Sequence, residues 1–584
     1  MRYRVSIPEP HTHLIRVVLE VTRPGDGLEC VFPVWTPGSY LVREFARHVE
    51  GFAAEDATGR PLHVDRLDKH RFRVAAQGVE RAVVRYAVYA NDLSVRTSHV
   101  DGTHAFLNGA NVFCYVPGRQ WGPHEVEVSP PPGWHVSTAL DGGPCVFTAR
   151  DYDELADSPI EIGTHRLARF EALGKAHEIA LWGRGNVDVD RLVADTRRIV
   201  EAAAALMGGL PYERYLFIVH LVDRRRGGLE HERSTALQVG RTSFFPRKAY
   251  EETLALVAHE FFHLWNVKRL RPAAFRPFDY GREQYTRLLW WFEGATSHYE
   301  NVILARAGLL SPRRWLAQLG RAFTQLERTP GAGKMGLEEA SLTAWVKYYR
   351  PDENSNNSAV SYYLKGELVA LALDLELRRA GGSLDDVLRR LYARHAEAGL
   401  PEDGVERAVA EVLGERPARD LFDRWVRGTE PLEPGLDVIG LALRRRAAVG
   451  FDDKGGVPAP PVNGDGGPPP GWLGATLAPG PRLEVAWVAE GSPAHRAGLY
   501  AGDEIVAEDG FRVDRAGLWD RLCERGPEGR LRLTVFRRDE LIELVVPLGP
   551  APEDTVWLEP VAEPTEAQRA AFGAWSGNPL PRAL

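Results

Sequence analysis

The chain contains few cysteines, and none of them forms a CxxC pair. Its 584 residues include the four cysteines Cys30, Cys114, Cys145 and Cys523. Their spacing argues against a thiolate zinc site and against a redox dithiol. A chain this long does not need disulfides to fold, and scattered thiols suit a reducing compartment.

Long apolar runs are also missing. No stretch of about 18 or more apolar residues occurs, as a membrane-spanning helix would need, although 44% of the residues are hydrophobic. The first eight residues, MRYRVSIP, lack the apolar core of a signal peptide. The sequence therefore predicts a cytoplasmic protein without a membrane partner.

The third absence is a concentration of positive charge. The net charge is −8, and the arginines are scattered along the chain. Nucleic acids and anionic membranes are bound by a concentrated positive field. The composition therefore predicts no nucleic-acid partner.

What is present is a change of pattern along the chain that predicts several domains. β-branched runs at 14–21 and 82–89 alternate with turn residues. Helical periodicity follows at 187–207, 251–267, 283–307, 361–379 and 384–395. A Gly/Pro-rich stretch and a second β-rich stretch come next. The predicted parts are a β-rich domain (1–170), a helix-dominated domain (171–450), a linker (455–470), a compact β-rich module (471–549) and a tail with one helix at 566–575 (550–584).

The strongest chemical signal is the motif His259-Glu260-Phe261-Phe262-His263. Residues four apart share one face of a helix, so both imidazoles can reach one metal ion while Glu260 faces its water. The surrounding residues are apolar, and buried imidazoles without partners are costly. We therefore expect His259 and His263 to be metal ligands and Glu260 to be the general base.

A third ligand is expected from a neighbouring helix. Glu293 stands in the apolar run WWFEGA, where a carboxylate needs a partner. Two imidazoles, one carboxylate and an open position are typical of a catalytic metal site. The residues alone admit zinc, manganese or cobalt.

The residues 259–272, HEFFHLWNVKRLRP, together with Phe292-Glu293-Gly294, closely resemble the glycyl aminopeptidase family. The run 33–45, PVWTPGSYLVREF, is similar to the N-terminal domain of that family. The resemblance implies one Zn²⁺ ion, a thermolysin-like catalytic domain and a PDZ domain. The implied fold class is multidomain α+β, with a β-sandwich-like N-terminal domain, an α-rich catalytic domain and the PDZ module at the C-terminus.

The related aminopeptidase N group implies further site residues. Residues 227–231, GGLEH, resemble its amine-binding motif, which makes Gly228 and Glu230 substrate-binding candidates. Tyr363 begins a Tyr-x-Lys-Gly match and would stabilise the oxyanion. The gap between His263 and Glu293 is longer than in that group and implies an inserted loop around 272–280. His231 and His298 are expected to be structural.

The C-terminal module resembles a bacterial PDZ domain at two places. Residues 471–474, GWLG, stand where a PDZ domain has its carboxylate-binding loop, and 491–506 match the PDZ signature. Trp472, Leu473 and Gly474 are therefore candidates for binding a peptide C-terminus. The other reading is a groove closed by the protein's own tail.

The resulting hypothesis is a zinc aminopeptidase that acts on peptides with a free N-terminus, preferring small residues such as Gly and Ala. A thermolysin-like endopeptidase is the close alternative, in which Glu230 binds no amine. A PDZ-bearing binding protein with a vestigial metal site is the alternative from another class.

Overall fold

The computed structural model describes residues 1–223, 225–460 and 469–582. The described chain divides into two compact units. The first unit comprises Met1–Thr286, Tyr299–Leu309 and Leu388–Gly404, and the second comprises Arg287–His298, Leu310–Val387 and Val405–Leu584. No helix in the described parts of the chain is long and apolar enough to span a membrane.

The N-terminal part of the first unit is built from β-sheets, as the sequence predicts. Its strands are β1 (Arg2–Ser6), β2 (Leu14–Thr22), β3 (Gly27–Val31), β4 (Val49–Asp56), β5 (Pro61–Leu62), β6 (Val64–Arg66), β7 (Arg71–Ala75), β8 (Arg81–Tyr89), β9 (His99–Val100), β10 (His104–Leu107), β11 (His124–Ser129), β12 (His135–Thr138), β13 (Asp141–Gly142), β14 (Val146–Ala149) and β15 (Ile160–Gly163). Two short helices, α1 (Gly109–Val112) and α2 (Tyr152–Ala156), interrupt them.

These strands form three sheets. The orders are β13-β14-β11-β1-β2-β8-β4-β5, β3-β7-β6 and β12-β15-β10-β9. In β2 the alternation of the sequence puts Ile15, Val17, Leu19 and Val21 inside, because successive side chains of a strand point to opposite faces. Side chains of all three sheets meet in one hydrophobic core.

A five-stranded sheet carries the next part of the first unit. Its strands are β16 (Arg166–Ala172), β17 (Lys175–Trp182), β18 (Arg214–Val222), β19 (Gly227–Glu230) and β20 (Ser234–Gly240), in the order β16-β17-β18-β20-β19. The short strand β19 lies at the edge, antiparallel to β20. Helix α3 (Val189–Met207) is capped by Asp188, whose side chain accepts a hydrogen bond from the Arg191 amide, as is typical of an aspartate at a helix N-terminus.

Helix α4 (Arg247–Phe262) contacts both β19 and β20. The helix begins four residues before the predicted start at 251 and ends at Phe262. The predicted end at 267 was therefore wrong. The chain leaves the helix at His263, and Val267 adopts a positive φ of 123°. The apolar pattern continues past the end of the helix because Leu264 and Trp265 remain buried in the core.

Helices dominate from residue 290 to residue 422. A π-helical turn, Trp290–Ala295, leads into α5, so the helix predicted at 283–307 begins several residues late. The helices are α5 (Thr296–Arg306), α6 (Pro312–Glu327), α7 (Leu337–Leu342), α8 (Ser355–Ser358), α9 (Leu364–Arg379), α10 (Leu384–His395), α11 (Gly404–Leu413) and α12 (Glu415–Phe422). A second π-turn, Asp423–Arg427, follows, and 3-10 turns lie at Pro10–Thr12, Phe45–His48, Ala273–Phe275, Pro330–Gly333 and Leu436–Ile439.

The C-terminal part of the second unit contains a small β-sheet with its own hydrophobic core. The elements of this part of the chain are β21 (Leu441–Arg446), β22 (Gly471–Trp472), β23 (Ala475–Leu477), β24 (Leu483–Val488), α13 (Pro493–Ala497), β25 (Glu504–Glu508), β26 (Phe511–Arg512), α14 (Arg515–Arg525), β27 (Arg530–Arg537), β28 (Glu540–Pro547), β29 (Gly549–Pro550), β30 (Thr555–Pro560) and α15 (Glu566–Ser576). The main sheet has the order β23-β24-β25-β27-β28, with β26 on β25.

Half of the linker predicted at 455–470, namely 461–468, lies outside the described residues, and the first two glycines of the linker are packed. A Cβ on Gly455 would lie 2.2 Å from Thr324 Oγ1, and one on Gly456 would lie 2.2 Å from the Ala317 carbonyl oxygen. These glycines therefore allow the chain to lie directly against α6.

Candidate active site

The two histidines of the predicted metal motif meet at the end of α4. His259 and His263 are buried, and their Nε2 atoms lie 3.1 Å apart. Two nitrogens bound to one zinc ion at about 2.0–2.1 Å in tetrahedral geometry are about 3.3 Å apart. The spacing of the two rings therefore fits a shared ion.

The hydrogen bonds of the two rings decide which nitrogens carry protons. His263 Nδ1 donates to the Asn266 carbonyl oxygen at 2.8 Å, and His259 Nδ1 lies 2.7 Å from the carboxylate of Glu300. Both acceptors hold the proton on Nδ1 and leave a lone pair on Nε2. Two lone pairs that face each other repel, whereas a cation between them is stabilised by both. A carboxylate or carbonyl behind each imidazole is also typical of metal-ligating histidines.

Glu260 lies beside these histidines, against the edge strand β19. It is 6% exposed, and its carboxylate lies next to the α-carbon of Gly228. A Cβ at position 228 would lie 2.1 Å from Glu260 Oε1, closer than any side chain could come. Gly228 therefore provides the space that the Glu260 carboxylate occupies.

Glu230, two residues further along β19, is a buried carboxylate with an unsatisfied oxygen. It is 4% exposed, and its Oε1 has no hydrogen-bond partner among the described residues. Candidate ligand atoms of Glu230, Glu260 and His263 lie within 4.8 Å of one another. An unpaired buried carboxylate is costly, so the arrangement is suited to receive a cationic group.

A loop from the N-terminal part closes the space around Glu230. Gly38, with φ +86°, approaches so closely that a Cβ there would lie 2.5 Å from Glu230 Oε1. The small pocket at Glu230 is lined by the following residues: Trp35, Pro37, Gly38, Tyr40, Val267, Lys268, Phe275 and Phe278. The space is narrow, and its lining includes four aromatic rings and one carboxylate, that of Glu230.

The long segment between His263 and Glu293 forms one wall of this pocket. The Val34 amide donates to the Tyr280 carbonyl at 2.8 Å, and Trp35 Nε1 donates to the Asp279 carbonyl at 2.9 Å. The ring of Phe278 lies 5.9 Å from that of Trp35, edge to face. The segment expected as an inserted loop thus holds the 33–45 loop in place.

A buried ion-pair network supports the turn that follows Glu230. The Asp157 carboxylate accepts hydrogen bonds from Lys268 Nζ at 2.6 Å and from the Glu232 amide at 2.8 Å, and His231 Nδ1 lies 3.0 Å away. Burial opposes ionisation of Asp157, but the charge of Lys268 and the His231 contact outweigh it and lower its pKa. His231 thus contacts Asp157, in a supporting position.

In the second unit, Glu293 and Tyr363 are close neighbours. Burial, followed by the negative charge of Glu293, raises the pKa of Tyr363 well above its ordinary value. Gly294 and Gly366 allow this proximity, since a Cβ on Gly294 would lie 2.5 Å from the Gly366 α-carbon. The glycines near these two site residues therefore let the π-turn and α9 pack backbone to backbone.

The candidate peptide-binding residues near the C-terminus lie in a groove of the second unit. Trp472, Leu473 and Gly474 line it together with Trp519 and other side chains. The ring of Phe451 lies 5.4 Å from the ring of Trp519. Part of the groove is thus lined by the preceding segment of the same chain.

Sequence reasoning missed Glu300, Gly38 and Asp157. Glu300 stands seven residues after Glu293, which is two helical turns. This spacing could have indicated that both carboxylates lie on one face of a helix. Gly38 and Asp157 lie far from the metal motif in sequence, and nothing local to them indicates their contacts.

Comparison with known proteins places the chain in a family. Residues 2–164 match the model of the peptidase M61 N-terminal domain, and residues 252–369 match the model of M61 glycyl aminopeptidase. The crystal structure of an aminopeptidase N family protein from Idiomarina loihiensis is 32% identical, with a TM-score of 0.91. That match covers 98% of this chain and 99% of the other.

A more distant likeness is to an M1 zinc metallopeptidase from Deinococcus radiodurans, with 14% identity and a TM-score of 0.48. It covers 74% of this chain and 94% of that protein. No curated protein sequence matches the chain. The two family models and the full-length match at 32% identity agree with the geometry of the histidine site, and the chain therefore belongs to the M61 glycyl aminopeptidase family of peptidases.

Proposed function

We propose that this peptidase is a zinc-dependent aminopeptidase that removes small N-terminal residues, such as Gly and Ala, from peptides. The observation that carries the proposal is the convergence of the Nε2 atoms of His259 and His263, whose distance of 3.1 Å fits two ligands of one zinc ion. The carbonyl or carboxylate behind each Nδ1 atom is typical of metal-ligating histidines.

The proposed ligands of one zinc ion are His259, His263 and Glu293. Two imidazoles with one carboxylate are a donor set that suits zinc. When bound there, the ion supplies Lewis acidity and lowers the pKa of a water molecule towards 7. Glu300 and the Asn266 carbonyl keep the two rings in the ligating tautomer.

Glu260 and Tyr363 are the proposed catalytic residues. Glu260 takes a proton from the attacking water and passes it to the leaving amine, as a positioned carboxylate can. The Tyr363 hydroxyl is protonated at neutral pH, as in an ordinary tyrosine, and burial raises its pKa further, so that it can donate a hydrogen bond to the carbonyl oxygen as negative charge develops. A donor of this kind contributes about 2.7–4 kcal/mol in comparable sites.

Glu230 is the proposed anchor of the substrate's free amine. Its unpaired Oε1 and its proximity to Glu260 and His263 support this role. An ammonium group satisfies the buried carboxylate, whereas an acetylated amine does not. The close approach of Gly38 and the aromatic lining leave little room beyond Glu230, which favours small side chains.

The experiment combines metal analysis with a comparison of free and blocked substrates. We expect about one catalytic zinc per chain and cleavage of Gly- and Ala-linked amides, with little cleavage of their N-acetylated forms. Glu260→Gln should retain the catalytic zinc and lose activity by about 10²–10⁴-fold, whereas His263→Ala should lose the catalytic zinc and the activity. Equal cleavage of free and blocked peptides would identify an endopeptidase instead, and a fully active Glu260→Gln enzyme would exclude this general base.

For residues 471–549 we propose a PDZ-type module that takes a peptide C-terminus at Trp472, Leu473 and Gly474. A two-helix β-module and a groove beside the Gly471–Trp472 strand support it, since loop amides can hold a carboxylate while the peptide extends the sheet. Binding of a peptide acid but not of its amide would support the assignment, and equal binding would contradict it.

A further inference from the structure

A second group of metal-ligating side chains lies in the β9–β10 hairpin of the first unit. His99, Asp101 and His104 follow the spacing His-x-Asp-x-x-His, and one candidate ligand atom from each lies within 4.8 Å of the others. None of the three belongs to the active site described above.

The hairpin turn fixes the Asp101 carboxylate. Its Oδ1 accepts hydrogen bonds from the Thr103 amide at 2.7 Å and from the Thr103 hydroxyl at 2.6 Å. Its Oδ2 lies 3.2 Å from His99 Nε2. These contacts hold the carboxylate in one orientation, beside the ring of His99.

His104 presents a buried nitrogen without a partner among the described residues. The residue is fully buried, and its Nδ1 lies 2.9 Å from Glu161 Oε1, while its Nε2 has no hydrogen-bond partner there. The indole of Trp182 stacks on the ring with centroids 3.6 Å apart and fixes its plane. A buried lone pair without a partner is costly, and Nε2 is the nitrogen left to ligate an ion.

Glu161 completes the pattern of a metal-ligating histidine. Such a histidine usually donates its other ring N–H to a carboxylate, and Glu161 Oε1 accepts from His104 while its Oε2 lies 2.8 Å from His220 Nε2.

We propose that His99, Asp101 and His104 bind a second divalent ion of the zinc class. Two imidazoles and a carboxylate are a donor set that zinc accepts, with water in the remaining position. The hairpin packs on the five-stranded sheet, since Phe106 of β10 shares a hydrophobic cluster with Ile218 of β18 and Leu229 of β19. The ion would therefore brace a hairpin that shares a core with β19, the strand that carries Glu230.

The test uses protein from which the catalytic imidazoles have been removed. The variant His259→Ala/His263→Ala, incubated with Zn²⁺ and dialysed, is expected to keep about one zinc per chain. Adding Asp101→Asn should lower the bound zinc at least tenfold. The matched control is Asp65→Asn, because Asp65 forms an exposed pair with His63, Nε2 to Oδ1 at 3.0 Å, that lacks a third ligand among the described residues. This control should leave the zinc content unchanged.

Two results overturn the proposal. One is a folded His259→Ala/His263→Ala protein without zinc above the dialysis buffer, and the other is full zinc retention after Asp101→Asn. If the double variant does not fold, the substitution Asp101→Asn is made in the otherwise wild-type protein. It should then remove one equivalent of zinc, while the activity on Gly- and Ala-amides remains. Loss of activity without loss of that equivalent would count against the site. Failure of the catalytic proposal would instead appear as wild-type protein with hairpin zinc alone.

Discussion

At the scale of single residues, the site depends on a buried carboxylate oxygen that lacks a hydrogen-bond partner among the described residues. This oxygen is Oε1 of Glu230, a residue that is 4% exposed. A folded protein retains such costly arrangements where a ligand or an ion compensates for them. The same reasoning identifies His104 in the hairpin.

The first prediction concerns the approach of Gly38 to Glu230. Gly38→Ala would place a Cβ 2.5 Å from Glu230 Oε1, so the carboxylate must move. Hydrogen bonds to charged groups are worth about 1.5–3 kcal/mol, and we expect KM for free-amine substrates to rise about 10–100-fold. Steady-state kinetics on Ala-amides measures this rise.

The matched control is Gly25→Ala. Gly25 has nearly the same φ, +80° against +86° for Gly38, but a Cβ there would meet nothing within 4 Å. Both variants therefore carry the same backbone strain. An equal rise of KM in the two variants would show that strain, rather than contact with Glu230, causes the effect.

At the scale of elements, glycines set the distances between the strands and helices that carry the site. β19 lies against Glu260 through Gly228, and the π-turn lies against α9 through Gly294 and Gly366. Each contact is backbone to side chain or backbone to backbone, so a single methyl group is enough to open it.

The second prediction concerns the contact between β19 and α4. Gly228→Ala would place a Cβ 2.1 Å from Glu260 Oε1 and displace the proposed base. We expect kcat to fall about 10²–10⁴-fold while zinc is retained, as measured by kinetics and metal analysis of the same sample. At the neighbouring Gly227 the nearest atom to a Cβ would be Arg96 Nη1 at 3.8 Å, and Gly227→Ala should keep near-normal kcat. Normal turnover of Gly228→Ala would contradict the arrangement.

The third prediction concerns the helix contact that joins Glu293 and Tyr363. Gly294→Ala would bring a Cβ within 2.5 Å of the Gly366 α-carbon, and overpacking of this kind costs about 1–3 kcal/mol. We expect a lower Tm by differential scanning calorimetry. In α15, a Cβ on Gly573 would find its nearest atom 3.9 Å away, so Gly573→Ala should leave Tm unchanged or raise it. A Gly294→Ala protein as stable as Gly573→Ala would refute the close crossing.

At the scale of the whole molecule, buried histidines link folding to pH. Burial lowers the pKa of His177 and of His165 to about 4. His177 is 1% exposed; its Nδ1 donates to the Lys175 carbonyl and its Nε2 accepts from the Tyr212 hydroxyl. Protonation of His177 would disrupt this neutral arrangement.

The fourth prediction gives the sign of the pH dependence. Between about pH 6.5 and pH 4 the unfolded chain binds more protons than the folded one, so stability falls as the pH is lowered through this range. From pH 7 to pH 5 we expect His177 alone to account for a loss of about 2 kcal/mol. Urea denaturation of the protein at both pH values should show a smaller loss in His177→Gln.

The control for this prediction is His63→Gln. The side chain of His63 is 73% exposed, so replacing it should leave the pH dependence as in the wild-type protein. If His177→Gln and wild type lose the same stability between pH 7 and pH 5, His177 is not buried in its neutral form.

Local pattern was sufficient for the periodic elements and for the metal motif. β2, β8, α3 and α10 follow from residue periodicity, because a buried face imposes its spacing on the sequence. His259, Glu260 and His263 were predicted from one helical turn, since ligand spacing on a helix is a local property. The late start of the helix near 290 was not predicted, because the apolar residues of 283–289 do not distinguish a buried irregular segment from a helix.

Only the tertiary structure brings distant segments together. Gly38 stands 192 positions before Glu230, and Asp157 stands 111 positions before Lys268, and nothing in the intervening sequence specifies these contacts. Nor does a sequence state which ring nitrogen carries a proton, which here follows from the Asn266 carbonyl and the Glu300 carboxylate. The sequence alone determined the residue types and their helical or strand spacing, because those depend on neighbours along the chain. The pocket at Glu230 and the facing imidazole lone pairs depend on how segments pack, and packing is decided by the whole fold.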